Sequence, residues 1–317
     1  MKIATVTLNP AIDQTVQVDG FQLNTVNRGQ AMRFDAGGKG INVASFLADA
    51  GYAVAVTGFL GQDNAAIFER FFARKWIADH FVRIPGETRI GVKIVDEVNQ
   101  QTTDINMPGL SPPAEALDTL RATIEQLTAS CDWFVLAGAL PPGVPATIYA
   151  SIISHLQTHG KHVVLDSSGE ALREGVRAGP TIVKPNSDEL QQLIGHPLLD
   201  IAAIEDAARQ LLDGGIKLVV ISMGKQGALF VDQETTVRAV PPAVPVKSTV
   251  GAGDAMVAGL IAGQVQGLSL PECARLATAF SIGRITSVGS PLPAPETLRA
   301  YGDRVTIQTT IRVSHSA

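Results

Sequence analysis

The segment KSTVGAGDAMVAGLIAG, residues 247–263, sets Gly251, Ala252 and Gly253 directly before Asp254 and an apolar run of helical period. Aspartate is a good helix N-cap and glycine serves the turns that lead into helices, so one reading is structural. The other is chemical. Backbone N–H groups at a helix N-terminus, reached through a loop without side-chain bulk, bind phosphate through open donors and the helix macrodipole together. A carboxylate beside such a site would repel the anion unless it has work to do there. DAGGKGINVA, residues 35–44, repeats the arrangement, with Gly37, Gly38 and Lys39 ahead of a helix that carries Asn42. Alone it reads as a glycine-rich turn with a solvated lysine. Two glycine-led helix starts in one chain suggest a transfer between two bound molecules.

KPNSDEL, residues 184–190, ends a strand with Lys184 and Asn186 and places Glu189 on the first turn of a helix. Glu189 reads as the acidic member of a capping box or, equally, as an anchor for a water of hydrated Mg²⁺. Asp166, closing HVVLD, is a second candidate for that water shell. SMGKQG, residues 222–227, brings Ser222, Gly224 and Gly227 to a strand end, where the backbone could run along a ligand or simply turn between two strands. No GxxxxGK[ST] is present and no GxGxxG follows the first strand, so a P-loop and the usual dinucleotide fingerprint are excluded. His155, His159 and His162 have spacing that suggests a metal, but HLQTH lacks the glutamate of HExxH and reads as a solvated helix face.

These residues must be held by something. Short β-branched runs at 3–8, 53–59, 133–138, 162–166, 181–186 and 217–222 alternate with helical stretches near 40–50, 63–74, 113–129, 145–158, 187–194, 202–213, 252–265 and 270–285. That order predicts a parallel sheet covered by helices. Residues 11–35 and 87–107 break it with polar-apolar alternation and no helix, and predict one small sheet that closes as a lid over the strand ends where open α/β sheets bind ligands. The expected division is an α/β domain of 1–10, 36–86 and 108–317, and a discontinuous lid of 11–35 and 87–107. The proline-rich pieces at 108–113 and 291–295 read as connections.

The 317 residues suffice for a large core, and a net charge of −5 without a basic block argues against nucleic acid or an anionic membrane as the main partner. Cys131 and Cys273 form no CxxC pair, and no long apolar run opens the chain, so a cytoplasmic protein is expected.

Together, GGKGINVA, KPNSDEL, SMGKQGAL and STVGAGDAMVAGLI, in this order and with about 210 residues between the outer two, resemble the PfkB branch of the ribokinase-like carbohydrate kinases. TLNPAID, GETRIGVKI, GALPPGV and LDSSGEAL further resemble its phosphosugar subgroup. The chain beyond about residue 290 fits that pattern poorly. The resemblance implies a three-layer α/β/α domain with a mostly parallel sheet and a β-sheet lid. It implies that Asp254 is the general base, with Gly251, Ala252 and Gly253 as an anion hole for the γ-phosphate. Asp13, Gly37, Gly38, Lys39 and Asn42 would grip the sugar. Arg89, helped by Arg28 or Lys93, would pair with a phosphate already on the sugar. Ser222, Gly224, Gly227, Lys184 and Asn186 would hold the nucleotide, with Glu189 and Asp166 reaching Mg²⁺ through water. ATP and Mg²⁺ are implied, a monovalent cation is left open, and a homodimer through the lid is expected. The expected reaction is ATP-dependent phosphorylation of fructose 1-phosphate. Tagatose 6-phosphate is the alternative acceptor, and a non-catalytic sugar-phosphate-binding regulator the alternative of another class. The helix dipole is expected to keep Asp254 ionised as a modest base.

Overall fold

The first strand, β1 (Lys2–Thr7), lies inside the large sheet, and the chain leaves its carboxyl end for the hairpin β2 (Ala11–Val18) and β3 (Gly29–Gly37) before α1 (Lys39–Asp49). Next come β4 (Ala53–Gly61), α2 (Ala66–Lys75) and two short strands, β5 (Ala78–Asp79) and β6 (Val82–Ile84). A second hairpin, β7 (Ile90–Asp96) and β8 (Gln101–Ile105), precedes α3 (Ala114–Thr128). Strands and helices then alternate through β9 (Cys131–Ala137), α4 (Ile148–Thr158), β10 (His162–Asp166), α5 (Gly169–Arg177) and β11 (Ile182–Val183). After α6 (Ser187–Ile194), α7 (Ile201–Asp213) and β12 (Leu218–Ser222) come β13 (Ala228–Val231) and β14 (Thr235–Val240). The chain ends with α8 (Ala252–Val265), α9 (Leu270–Ile285), α10 (Pro295–Asp303) and β15 (Thr306–Ile311). This computed structural model describes residues 2–287 and 291–312. Met1, 288–290 and 313–317, all within the expected α/β domain, lie outside the described residues.

The large sheet runs β15-β14-β13-β12-β11-β10-β9-β1-β4-β5, with β6 against the end of β4. Pairings from β12 to β5 are parallel, and β12 to β15 form an antiparallel edge. Central strands such as HVVLD and LVVIS are buried on both faces, which is why they read as unbroken apolar runs. One core packs Ile3, Val56 and Val220 under α1, α8 and α9. The other packs Val6, Phe134 and Leu165 under α3, α4 and α7. Three layers, helix over sheet over helix, follow. No helix among the described residues is long and apolar enough to cross a membrane.

The two excursions form a separate sheet in the order β3-β2-β7-β8. Its register sorts the side chains. Asp13 pairs with Asp35 and Gly91, Thr15 with Arg33 and Lys93, and Lys93 with Asp104, so these share one face. Val16 pairs with Met32 and Ile94, Gln14 with Phe34 and Val92, and Val92 with Ile105, which makes the opposite face apolar. Met32 is 60% exposed there, Phe34 43% and Ile105 48%.

Two helices add to the sequence expectation. Residues 291–294 connect as expected, and Pro295 begins α10, at a position where an N–H would have no partner within the helix. Residues 169–177 form α5, between the strands expected at 162–166 and 181–186.

Candidate active site

The carboxyl ends of β1, β10, β11 and β12 meet the amino ends of α1, α6 and α8, and the expected site residues gather there. Gly251 caps α8 with φ +79°, a left-handed conformation that glycine adopts without strain, and leaves the first-turn N–H groups without a side-chain cap. Asp254 sits in that first turn, only 6% exposed, and its Oδ2 accepts a hydrogen bond from Asn42 Nδ2 at 2.8 Å. Burial lifts the Asp254 carboxyl to about 6, and the charge of Asp166 adds to the rise. The Asn42 hydrogen bond and the charges of Lys39 and Lys184 restrain it. Desolvation is the largest influence on this carboxyl, beside the helix dipole that the sequence suggested.

Asp166, 1% exposed at the end of β10, gathers two lysines. Its Oδ1 lies 3.0 Å from Lys39 Nζ and its Oδ2 3.3 Å from Lys184 Nζ. Burial opposes its charge, but Lys184 and Lys39 outweigh burial and lower its pKa. Burial likewise opposes the Lys39 ammonium, and Asp166 and Asp254 reverse that and raise its pKa. A carboxylate with an ammonium group beside each oxygen positions those cations and keeps acceptor capacity for a water. Glu189 forms the capping box: Asn186 N–H donates to Glu189 Oε2 and Glu189 N–H to Asn186 Oδ1, each at 2.8 Å. Its Oε1 accepts no hydrogen bond from a described residue and fits an outer-shell contact to hydrated Mg²⁺. Asn186 also bridges to Ser222, which places KPNSDEL beside SMGKQG. SMGKQG is a tight turn between the antiparallel β12 and β13, the plainer of its two readings. Gly227 is required there because a Cβ would come within 2.0 Å of the Ala239 carbonyl oxygen, a strand contact that needs no ligand.

Before α1, Gly37 makes room for Asp13. A Cβ at position 37 would meet Asp13 Oδ2 at 2.3 Å. Burial raises the Asp13 carboxyl, with Lys93 and Arg89 pulling back. Gly38, with φ +130°, lets α1 start against Thr7 and Pro10. Arg89 donates from Nε to Asn9 Oδ1 at 3.1 Å and to the Pro10 carbonyl at 3.2 Å, and from Nη1 and Nη2 to Met107 and Asn9 carbonyls at 3.3 Å each. A guanidinium has five N–H groups, so one on each terminal nitrogen remains for an anion. Lys93 faces the same way as Asp13 but pairs with Asp104 at 3.3 Å. Arg28 is not brought to the site. It is exposed and precedes Gly29, which pairs with Val18 at the far end of the hairpin, roughly 20 Å along β3 from Asp35 at about 3.3 Å per residue.

One residue escaped the sequence reading. Arg284, on α9, lies so close to the glycine loop that a Cβ on Gly251 would be 3.2 Å from its Nε. Lys184 stands likewise against Gly253, with Nζ 3.4 Å from a Cβ there. Burial lowers the Arg284 pKa and Asp254 pulls it back, while the group stays a cation. Its distance in sequence from the loop gives no local signal. A cleft of about 430 Å³ runs from Asp13 and Lys93 under the small sheet to Asn42, Lys247, Gly251 and Arg284. A larger cavity, about 580 Å³, opens by Tyr52, Leu276, Phe280 and Leu298, away from all of these groups. Chemistry rather than volume selects the first.

The arrangement is similar to known proteins over its whole length. The profile described as pfkB family carbohydrate kinase matches residues 6–297, so the likeness continues past 290, where the sequence reading expected departure. A 1-phosphofructokinase of Rhodobacter capsulatus is 50% identical over 310 residues, 98% of each chain. One of Xanthomonas campestris is 45% identical over 312 residues, 97% of this chain and 98% of that one. The phosphofructokinase-2 of Escherichia coli in complex with substrates and products superposes with a TM-score of 0.88 at 31% identity, covering 96% of this chain and 99% of that chain. That protein is also known in complex with potassium and as a tetrameric inhibited form.

Proposed function

This chain belongs to the pfkB family of carbohydrate kinases, and we propose that it transfers the γ-phosphoryl group of ATP to fructose 1-phosphate, giving fructose 1,6-bisphosphate. The observation that carries the chemistry is the Asp254 carboxylate, desolvated beside the open amino end of α8 and hydrogen-bonded to Asn42, which lines the cleft.

Phosphoryl transfer asks for in-line placement and neutralisation of charge more than for covalent help from the protein. The N–H groups following Gly251 receive the migrating group, and Lys184 and Arg284 on either side of the loop balance its charge. Asp254 takes the proton of the sugar 6-hydroxyl as the new P–O bond forms, and a carboxyl near 6 is ionised at pH 7 yet more basic than an exposed aspartate. Glu189 would hold Mg²⁺ through water, and the ion would supply further charge neutralisation on the nucleotide phosphates. Asp13 and Asn42 orient the sugar, and the two remaining N–H groups of Arg89 meet its 1-phosphate. The small sheet acts as a lid that keeps water from competing with the hydroxyl.

The apolar outer face of the lid, with Met32, Phe34 and Ile105, supports a homodimer formed through it. Both cysteines are free and buried, in keeping with a cytoplasmic location. The acceptor is tested by steady-state rates with fructose 1-phosphate, fructose 6-phosphate and tagatose 6-phosphate at saturating MgATP, with and without KCl. The highest kcat/KM is expected for fructose 1-phosphate. A higher value for either 6-phosphate would reassign the acceptor, and no ADP release with any would leave a binding protein.

A further inference from the structure

The HLQTH stretch gains in three dimensions the carboxylate it lacks in sequence. His155 lies in the last turn of α4 and His159 is the residue that caps its carboxyl end, four positions on, and Glu125 of α3 approaches both. Glu125 Oε2 is 2.7 Å from His155 Nε2, and Oε1 is 3.4 Å from His159 Nε2. The third histidine of the stretch, His162, stands apart and stacks on Trp133 at 4.6 Å.

We propose that Glu125, His155 and His159 form a surface site for a borderline divalent transition cation, with Zn²⁺ the prime candidate, joining α3 to α4. Three observations carry this. The ligand atoms of the three residues lie within 4.8 Å of one another, and a tetrahedral ion with bonds of about 2.0 Å holds its ligand atoms about 3.3 Å apart, a change within reach of side-chain rotation. The His159 ring is oriented for ligation: its Nδ1 lies 3.0 Å from the His155 carbonyl oxygen and 3.3 Å from Thr158 Oγ1, which holds the ring with Nε2 toward Glu125. His155 Nε2 is sealed from solvent yet makes no hydrogen bond, because the nearby carboxylate oxygen lies off the direction of a ring N–H. Such an approach suits two ligands converging on one ion better than a donor meeting an acceptor.

Two imidazoles and one carboxylate select zinc, cobalt, nickel or copper over magnesium, which prefers an all-oxygen shell. Three protein ligands leave positions open for water. The site is remote from phosphoryl transfer. The carboxyl half of α4 leads into the amino end of β10, whereas Asp166 stands at the carboxyl end of that strand. The cation therefore acts on stability and not in the reaction.

The test uses the full chain without a histidine tag, stripped with chelator and dialysed metal-free. Titration with CoCl₂ is followed by visible absorption and calorimetry, and ZnCl₂ is added in competition. One Co²⁺ per chain is expected, with a tetrahedral d–d band that Zn²⁺ abolishes and millimolar Mg²⁺ leaves intact, together with a Zn²⁺-dependent rise in Tm. His155→Ala and His159→Ala should each weaken binding by at least about tenfold, with MgATP-dependent turnover unchanged. Absence of saturable binding to the parent protein would show an ordinary imidazole–carboxylate contact and overturn the site. So would binding that persists unaltered in the folded double variant, or in Glu125→Gln should the double variant fail to fold.

Discussion

Asn42 Nδ2 donates to Asp254 Oδ2 at 2.8 Å, joining the opening turns of α1 and α8 across 212 positions of sequence. The bond ties the helix proposed to serve the sugar to the helix proposed to serve the phosphoryl group. It also holds down a carboxyl that burial raises to about 6.

Asn42→Ala removes that donor and should raise the Asp254 pKa further. A hydrogen bond to a charged group contributes roughly 1.5–3 kcal/mol, so the acid limb of kcat/KM should move up by about one to two pH units. The share of the loss that comes from ionisation should be regained between about pH 6.5 and 8.5, above a pH-independent deficit from the lost sugar contact. An acid limb that stays in place would separate Asn42 from the ionisation of Asp254.

Asp254 also costs the fold stability, with a definite sign. A carboxyl raised from an ordinary 3.8 to about 6 binds more protons in the folded than in the unfolded chain between those values. Stability therefore falls as pH rises through that window and stays reduced above it. At pH 8, Asp254→Asn should raise stability by roughly 3 kcal/mol, at about 1.4 kcal/mol per pH unit, and Tm by several degrees. The gain should shrink at pH 4.5. A variant less stable than the parent at pH 8 would contradict the desolvation of this group.

Arg89→Ala should raise KM for the sugar phosphate by at least about tenfold, the loss of one or two charge-assisted hydrogen bonds, while KM for ATP changes little. Arg89→Lys, which keeps the charge but not the fork, should fall between. Equal effects on both substrates would place the loss in the Asn9–Pro10 loop that Arg89 also fastens.

Arg284→Gln keeps much of the volume against Gly251 and removes the charge. Its kcat should fall by about tenfold or more with CD spectrum and Tm near those of the parent, as expected for a cation that meets developing phosphoryl charge. Full turnover in a folded variant would reduce Arg284 to packing.

Much of this was legible in the chain because the signals are local. Period and β-branching mark the parallel strands, alternation marks 11–35 and 87–107, and glycine before an apolar run marks the starts of α1 and α8. What escaped depends on contacts. α10 begins on Pro295, a residue that reads as a break until its place at the helix start is seen. Arg284 gains meaning only when α9 packs beside α8, and Glu125 only when α3 lies against α4. The sequence suggests Asp254 as a base but not its pKa, because the depth of burial that raises it is a property of the packed core. Arg28 is a cation of the right type whose place only the register gives: it precedes Gly29, paired with Val18 at the far end of the hairpin and away from the cleft of its own chain.

The most direct measurement is single-turnover and steady-state kinetics of Asp254→Asn beside its affinity for MgATP. A kcat reduced by several orders of magnitude with nucleotide binding nearly unchanged is expected, since the substitution keeps the shape and the Asn42 contact but removes the proton acceptor. Turnover close to that of the parent enzyme would contradict the assignment of Asp254 as the base.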